Sequence, residues 1–369
     1  MSTDIRRYLC FPQSFTEGRQ WFREAAAAAG GRLSAAVHSS ARGPTGEALS
    51  TDIAWFGPVS AARVLVSLSG VHGQEYAFGA AAQLEWLTGP SPAALPSDVA
   101  VCLIHAVNPF GAAHNSRANE NFVDLNRNYF DHARPVRPNP LYPELFELLF
   151  TKDMDEHVID DVMTQFYAFM DRSDPLAAMT AMGGGQNTHP TGTVYCGTEA
   201  EWSIKTLRDV ARHHLGEAER VAIVDWHTGL GAFAGLASLH EHAEDTDAHR
   251  WSCTWWGPSV MTSIHSGVRP DFIGTVSRGL GNDLRARGAV VADTVFEAGT
   301  VDNRSVLGAL LIDRWLRIEC QDPDHPQAVR MRALMMERLN PSLHSWRTGV
   351  LEKTRAVYAN TIRGLAAWR

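Results

Sequence analysis

Arg63 to Leu87 reads RVLVSLSGVHGQEYAFGAAAQLEWL. Its first half carries the apolar run Val64, Leu65, Val66 and Leu68, which predicts a buried strand. From about Glu75 the spacing turns helical, rich in Ala and Leu, and Thr88-Gly89-Pro90 ends it. Between the two lies His72-Gly73-Gln74-Glu75. Ligands of open α/β sheets bind beyond the carboxyl ends of strands. A histidine and a carboxylate three residues apart on a first helical turn can reach one atom. Imidazole plus carboxylate suits two ligands of a catalytic zinc, which takes three protein ligands and keeps one position open. With 16 histidines and 41 acidic residues, His-x-x-Glu alone is a cheap pattern, so the rest of the chain has to decide.

The same alternation of strand and helix continues on both sides. Ser14-Phe15-Thr16-Glu17 is a capping box opening a helix that Gly30-Gly31 closes. Strands are predicted over 32–37 and 52–56, ahead of the central one. Val99 to Val107 (VAVCLIHAV) is near-continuously apolar, as a strand covered on both faces should be. Further strands follow at 221–224 (VAIV) and 290–296, with helices over 199–215, 305–318 and from 328 onward. This order predicts an α/β three-layer α/β/α sandwich around a central mixed, mostly parallel twisted sheet. No repeat, low-complexity tract or linker interrupts it. One domain over 1–369 is expected, with the motifs within 70–300 and C-terminal helices over about 303–369.

A chain of 369 residues with 45 % hydrophobic residues can bury a large core. Its net charge of −8 argues against a nucleic-acid partner. No stretch reaches the roughly 18–20 apolar residues of a membrane helix, and the N-terminal MSTDIRRYLCFPQSF has no signal-peptide pattern. The five cysteines are scattered and lack any CxxC pair, which fits a reducing, cytoplasmic setting. The composition leaves a homo-oligomer open.

Chemically capable residues recur at the ends of four apolar strands. They are His72/Glu75, a polar stretch from 112 to 132 holding Arg117, Asp124, Asn126 and Arg127, then His227 in DWHTGLG, and Glu297 in EAGT. Solvated loops do not account for four such coincidences in one chain. The wording GVHGQE, NPFGAAHNSR, VDLNRN, DWHTGLG and EAGT resembles the zinc carboxypeptidase superfamily. It is closest to an uncharacterised bacterial branch near the aspartoacylase and succinylglutamate desuccinylase group.

That resemblance implies one zinc ion per chain, held by His72, Glu75 and His227. It implies that Glu297 is the general base toward a water whose pKa falls from about 15.7 toward about 7 on the metal. Arg117 would stabilise the oxyanion, and Asn126 with Arg127 would grip a free carboxylate, which a guanidinium fork matches. Asp124 would orient the first zinc histidine, and Asp225 is a weaker candidate for similar work beside His227. The implied activity is hydrolysis of an amide or peptide bond next to a free carboxylate, in the manner of a metallocarboxypeptidase. The alternative is an N-acyl amino acid deacylase like aspartoacylase; a non-catalytic metal- or ligand-binding protein is the remaining class. The substrate would be a small peptide or an N-acyl amino acid.

The departures bear on specificity. Gln74 stands where digestive carboxypeptidases carry an arginine, and no tyrosine lies between His227 and Glu297 to match their mobile one. Trp251, Trp255 and Trp256 are expected in packing roles. His213-His214 reads as a helix-terminus pair, and His240 and His242 as exposed loop residues.

Overall fold

The computed structural model describes residues 10–90, 92–240, 242–259 and 272–368. The reading of the first nine residues lies outside them, as does Glu241 of the LHEHAED stretch.

The central strand predicted from Val64 to Leu68 is β3 (Arg63–Ser69). It pairs in parallel with β4 (Val99–His105) on one side and β5 (Arg220–Gly229) on the other, and β5 pairs in parallel with β7 (Val290–Gly299). Antiparallel strands close both edges. They are β2 (Ala48–Phe56) and β1 (Arg32–Arg42) beyond β4, and β6 (Leu236–Leu239) beyond β7. The seven-stranded order is β1-β2-β4-β3-β5-β7-β6, a mixed sheet whose middle is parallel, as expected.

Side chains alternate across the sheet with period two, and each face has its own apolar layer. Leu65, Val101, Ala222, Val224 and Trp226 face helices α1 (Phe15–Ala28), α2 (Tyr76–Thr88), α8 (Asp247–Trp256) and α12 (His344–Ala367). Val64, Val66, Ile104, Val221 and Ile223 face α7 (Trp202–His214) and α9 (Val276–Arg285). A further core joins α4 (Tyr142–Leu149), α5 (Glu156–Arg172), α6 (Pro175–Gly183), α10 (Asn303–Ile318) and α11 (Pro326–Leu339) beside the strand ends. The capping box at Ser14 forms: its hydroxyl accepts from the Glu17 N–H at 3.2 Å.

Two expectations need correcting. His227 and Glu297 do not follow their strands but lie inside them, paired opposite each other across β5 and β7. Ladder pairing needs backbone groups, not apolar side chains, so a strand outlasts the apolar run that announces it. His240 is not an exposed loop residue: it is 5 % exposed, stacked near His242, whose Nε2 accepts from the Asp293 N–H on β7. His240 follows the edge strand 236–239, and its ring packs near His249 of α8, with Nε2 3.3 Å from the Gly257 carbonyl oxygen.

Trp255 is buried against α12, and Trp256 donates its indole N–H to Thr361 Oγ1 at 2.8 Å. Both are in the packing role expected of them. Among the described residues, no helix is long and apolar enough to cross a membrane.

Candidate metal centre

The turn after β3 is tight because residue 73 is glycine. A Cβ there would lie 1.9 Å from the carbonyl carbon of Gly111, in the short helix α3 (Pro109–His114), a backbone clash that nothing can relieve. This close approach seats one turn of 3-10 helix, Gly73–Glu75, with His72 at its start. The expected α-helix begins one residue later, at Tyr76.

His72, Glu75 and His227 converge from this turn and from β5, all buried, with one potential ligand atom from each within 4.8 Å of the others. His72 Nδ1 lies 2.9 Å from Glu75 Oε1 and 3.0 Å from His227 Nδ1. His227 Nδ1 is 3.1 Å from Glu75 Oε2, and that oxygen also accepts the Thr228 N–H at 3.0 Å.

The far side of each ring meets a carboxylate. His72 Nε2 is 3.3 Å from Asp124 Oδ1, and His227 Nε2 is 3.1 Å from Asp225 Oδ2. A carboxylate only accepts, so it draws the ring proton to Nε2 and leaves a lone pair on Nδ1. Arg117 Nη1 donates to His72 Nδ1 at 3.2 Å, consistent with that tautomer. Two imidazole lone pairs and a carboxylate, about 3 Å apart and out of water, form a set of acceptors that calls for a cation. Tetrahedral zinc at about 2.0–2.1 Å from each nitrogen spaces its ligand atoms by about 3.3 Å. The donor set and its spacing fit such an ion, and each histidine has the outer carboxylate partner that metal-bound histidines usually have.

The charges are strongly coupled. Burial would raise the Glu75 carboxyl, but the His72 and His227 rings hold it well below the usual carboxylate range. Burial opposes the charge on Asp124 too, yet Arg117 and then His72 keep it ionised. For His227 the same desolvation is outweighed by Asp225, which drives its pKa up. Glu297 behaves oppositely. Burial, then repulsion from Glu75, push its pKa up to about 7, a value suited to accepting and returning a proton near neutrality.

Arg117 donates from Nε to Asp124 Oδ2 at 3.0 Å and stands 3.6 Å from Glu75 Oε1. Its loop is held by α10: Asp313 Oδ2 accepts the Arg117 N–H at 3.2 Å, and Arg317 Nη1 donates to Ser116 Oγ at 2.8 Å. Asn126 and Arg127 sit on the next 3-10 turn, capped by Asp124, whose Oδ1 accepts the Asn126 N–H at 2.9 Å. Asn126 Oδ1 accepts from Val276 N–H at 2.8 Å. Arg127 donates to the Gly183 and Asn126 carbonyls and lies over the Phe272 ring, 4.7 Å from its centroid. One cavity of about 210 Å³ touches His72, Glu75, Arg117, Asn126, Arg127 and Glu297.

The structure thus gathers every residue that the motifs singled out. Asp225, the weaker candidate, lies 3.1 Å from His227 Nε2 but without the hydrogen bond that joins Asp124 to His72. His213 accepts no such company: its Nδ1 lies 2.8 Å from the Asp209 carbonyl oxygen, on an exposed helix end. Sequence reasoning missed Thr228, whose backbone steadies Glu75, and Asn340, whose side chain bonds the Gln74 carbonyl. Thr228 stands in DWHTGLG but acts through its backbone, which no side-chain pattern reports, and Asn340 belongs to no motif.

Fold and site together define an α/β protein with a buried His–Glu–His group at the ends of parallel strands. The chain belongs to DUF2817, a family described as a protein of unknown function, whose model matches residues 11–353. No curated protein matches it. Among solved structures it is similar to bovine thrombin-activatable fibrinolysis inhibitor in complex with tick carboxypeptidase inhibitor, at 13 % identity and a TM-score of 0.45, over 92 % of this chain and 98 % of that one. It is similar to the murein-tripeptide amidase MpaA from Escherichia coli O157, at 15 % identity and a TM-score of 0.38, over 85 % and 96 %. It is also similar to the succinylglutamate desuccinylase from Chromobacterium violaceum, at 12 % identity and a TM-score of 0.34, over 87 % and 73 %.

Proposed function

We propose that the protein is a zinc-dependent hydrolase of an amide bond adjacent to a free carboxylate. The observation that carries this reading is the convergence of three acceptor atoms of His72, Glu75 and His227, with Glu297 and Arg117 on the same cavity. A zinc ion held there would supply Lewis-acid polarisation of the carbonyl and acidification of a water.

The chain's own residues do the rest. Glu297, with its pKa near 7, takes a proton from the attacking water. The C–O bond forms as that proton leaves, and Glu297 then hands it to the amine nitrogen as the C–N bond breaks. Arg117, kept cationic by Asp124 and Glu75 against the cost of its burial, offers N–H groups to the oxygen that gains charge. Asn126 and Arg127 form the polar wall that receives the substrate's carboxylate. A protein that only bound metal would have no use for a half-buried carboxylate poised as Glu297 is.

The test measures metal content and turnover together. Purified protein should hold about one zinc per chain, chelation should abolish cleavage of amides bearing a free carboxylate, and amidated controls should stay uncleaved with or without chelator. Glu297→Gln should keep the metal and lose about 10²–10⁴ in kcat, the range for removing an acid–base group. Full turnover in that variant, or in the metal-free protein, sinks the proposal.

A further inference from the structure

Arg117 is held by its main chain as well as by its guanidinium. Its N–H goes to Asp313 Oδ2 on α10, and its carbonyl oxygen accepts from Asn108 Nδ2 at the head of α3, each at 3.2 Å. The residue before it is tied at both ends too. The Ser116 N–H reaches the Gly111 carbonyl at 2.9 Å, and the Ser116 carbonyl accepts the Gln74 N–H at 3.2 Å. Ser116 Oγ takes the Arg317 guanidinium, which also reaches the Asn119 carbonyl at 3.3 Å.

Val306, Leu310, Asp313 and Arg317 recur at helical spacing and share one stripe of α10. The first two line the cavity of the metal centre; Asp313 does not, and it meets the Arg117 main chain instead. Asp313 is 5 % exposed, and burial lifts its pKa to about 6 even with Arg317 and the Arg117 N–H beside it. A carboxylate buried among hydrocarbon is costly, and apolar residues in place of buried charges are often as stable or more so. Stability alone therefore gives no reason for a carboxylate at this point of α10. A fixed main chain for Arg117 does, because a donor to a developing oxyanion acts by standing in place before the charge appears.

We propose that Asp313, seconded by Arg317 through Ser116, is a positioning residue for Arg117. It anchors the main chain from which the guanidinium reaches the oxygen that gains charge. This rests on the hydrolase reading above and adds to it a residue 196 positions from Arg117, outside every motif.

The experiment is a double-mutant cycle on the zinc-loaded protein, using the free-carboxylate amides that the wild type cleaves. Arg117→Ala should lower kcat about 10²–10³-fold, as loss of an oxyanion donor does. Asp313→Ala should lower kcat about 10–100-fold, with KM and zinc affinity each within about threefold of wild type. Added to Arg117→Ala it should cost nothing further, because residues that act as a unit are not additive. Asp313→Asn keeps an oxygen that can accept the Arg117 N–H and should stay within about fivefold of wild type. Ser116→Ala cuts the same hold more mildly. It should cost about 3–10-fold, again only while Arg117 is present, and it decides the matter if Asp313→Ala does not fold. Hydrogen exchange reads the anchoring without turnover. The Arg117 amide should exchange at least about fivefold faster in Asp313→Ala, while the Asn119 amide, bonded to the Val123 carbonyl at 3.0 Å, should not change.

Losses that multiply in the double variant, or a zinc affinity that falls along with kcat, overturn the proposal and leave amide hydrolysis in place. If the wild type cleaves nothing, the hydrolase reading falls. Faster exchange at Arg117 then keeps Asp313 as the anchor of that main chain, and unchanged exchange overturns this as well.

Discussion

Asn340 Nδ2 donates a hydrogen bond to the main-chain carbonyl of Gln74 at 2.7 Å, across 266 residues of sequence. Gln74 stands between the two candidate ligands of the first motif, and Asn340 is the C-cap of α11, itself buried. A helix beyond the sheet thus fixes the backbone that aims His72 and Glu75. Removing the donor leaves a buried carbonyl unpaired, at about 1–3 kcal/mol. Asn340→Ala should therefore bind zinc about tenfold more weakly in chelator competition, with the cobalt-substituted protein showing an altered visible spectrum. Unchanged affinity in a folded variant would assign the bond to stability alone.

Asp124 and Asp225 flank the two rings, but Asp124 also accepts from Arg117 and from the Asn126 N–H. The substitutions should separate accordingly. Asp225→Asn should weaken metal binding about 10–100-fold, as expected for an outer partner of a ligating histidine, with little change in KM once metal is saturating. Asp124→Asn should lose metal similarly and raise KM as well, because the turn bearing Asn126 and Arg127 loses its cap. Titrating each variant with zinc, then measuring kinetics at saturation, distinguishes them; identical profiles would refute the division.

His105 gives the fold an acid-side weakness. It is fully buried, stacked on Phe22, with Tyr76 Oη 2.8 Å from Nε2 and Gln83 Oε1 2.8 Å from Nδ1. Burial lowers its pKa from 6.5 to about 3. A folded-state pKa below the unfolded one means stability is complete above pH 6.5 and is lost as pH falls toward 3, where the unfolded chain binds the proton first. The slope is about 1.4 kcal/mol per pH unit in that window. Urea unfolding between pH 7 and 4 should show it, and His105→Gln should lack this one-proton slope whatever its stability at pH 7. Parallel pH dependences in the two proteins would contradict the assignment.

What could be read beforehand follows a physical line. Strands β3 and β4 are covered on both faces, so Val64–Leu68 and Val99–Ile104 betray them by composition, and the turns after them carry the motifs in plain order. The extents of β5 and β7 were hidden because Asp225, His227 and Glu297 are polar residues in paired strands. All three lie on the α9 face, where the pleat turns Glu297 toward the cavity and leaves Asp225 and His227 buried beneath it in place of apolar core. Strand β6 is four residues long and has no period to detect. Asn340 was beyond reach for another reason: a single asparagine has no pattern, and its partner Gln74 is 266 residues away.

The bond from Asn340, together with the Trp346 indole N–H on the Gly299 carbonyl at 2.8 Å, also has a consequence in time. During synthesis all seven strands leave the ribosome before residues 340–346 do. The nascent sheet therefore exists for a while with its metal-binding turn unbraced and the end of β7 uncovered. At about 5–20 residues per second, that interval lasts a few seconds. The brace on the His72–Glu75 turn is thus set as one of the last events of folding.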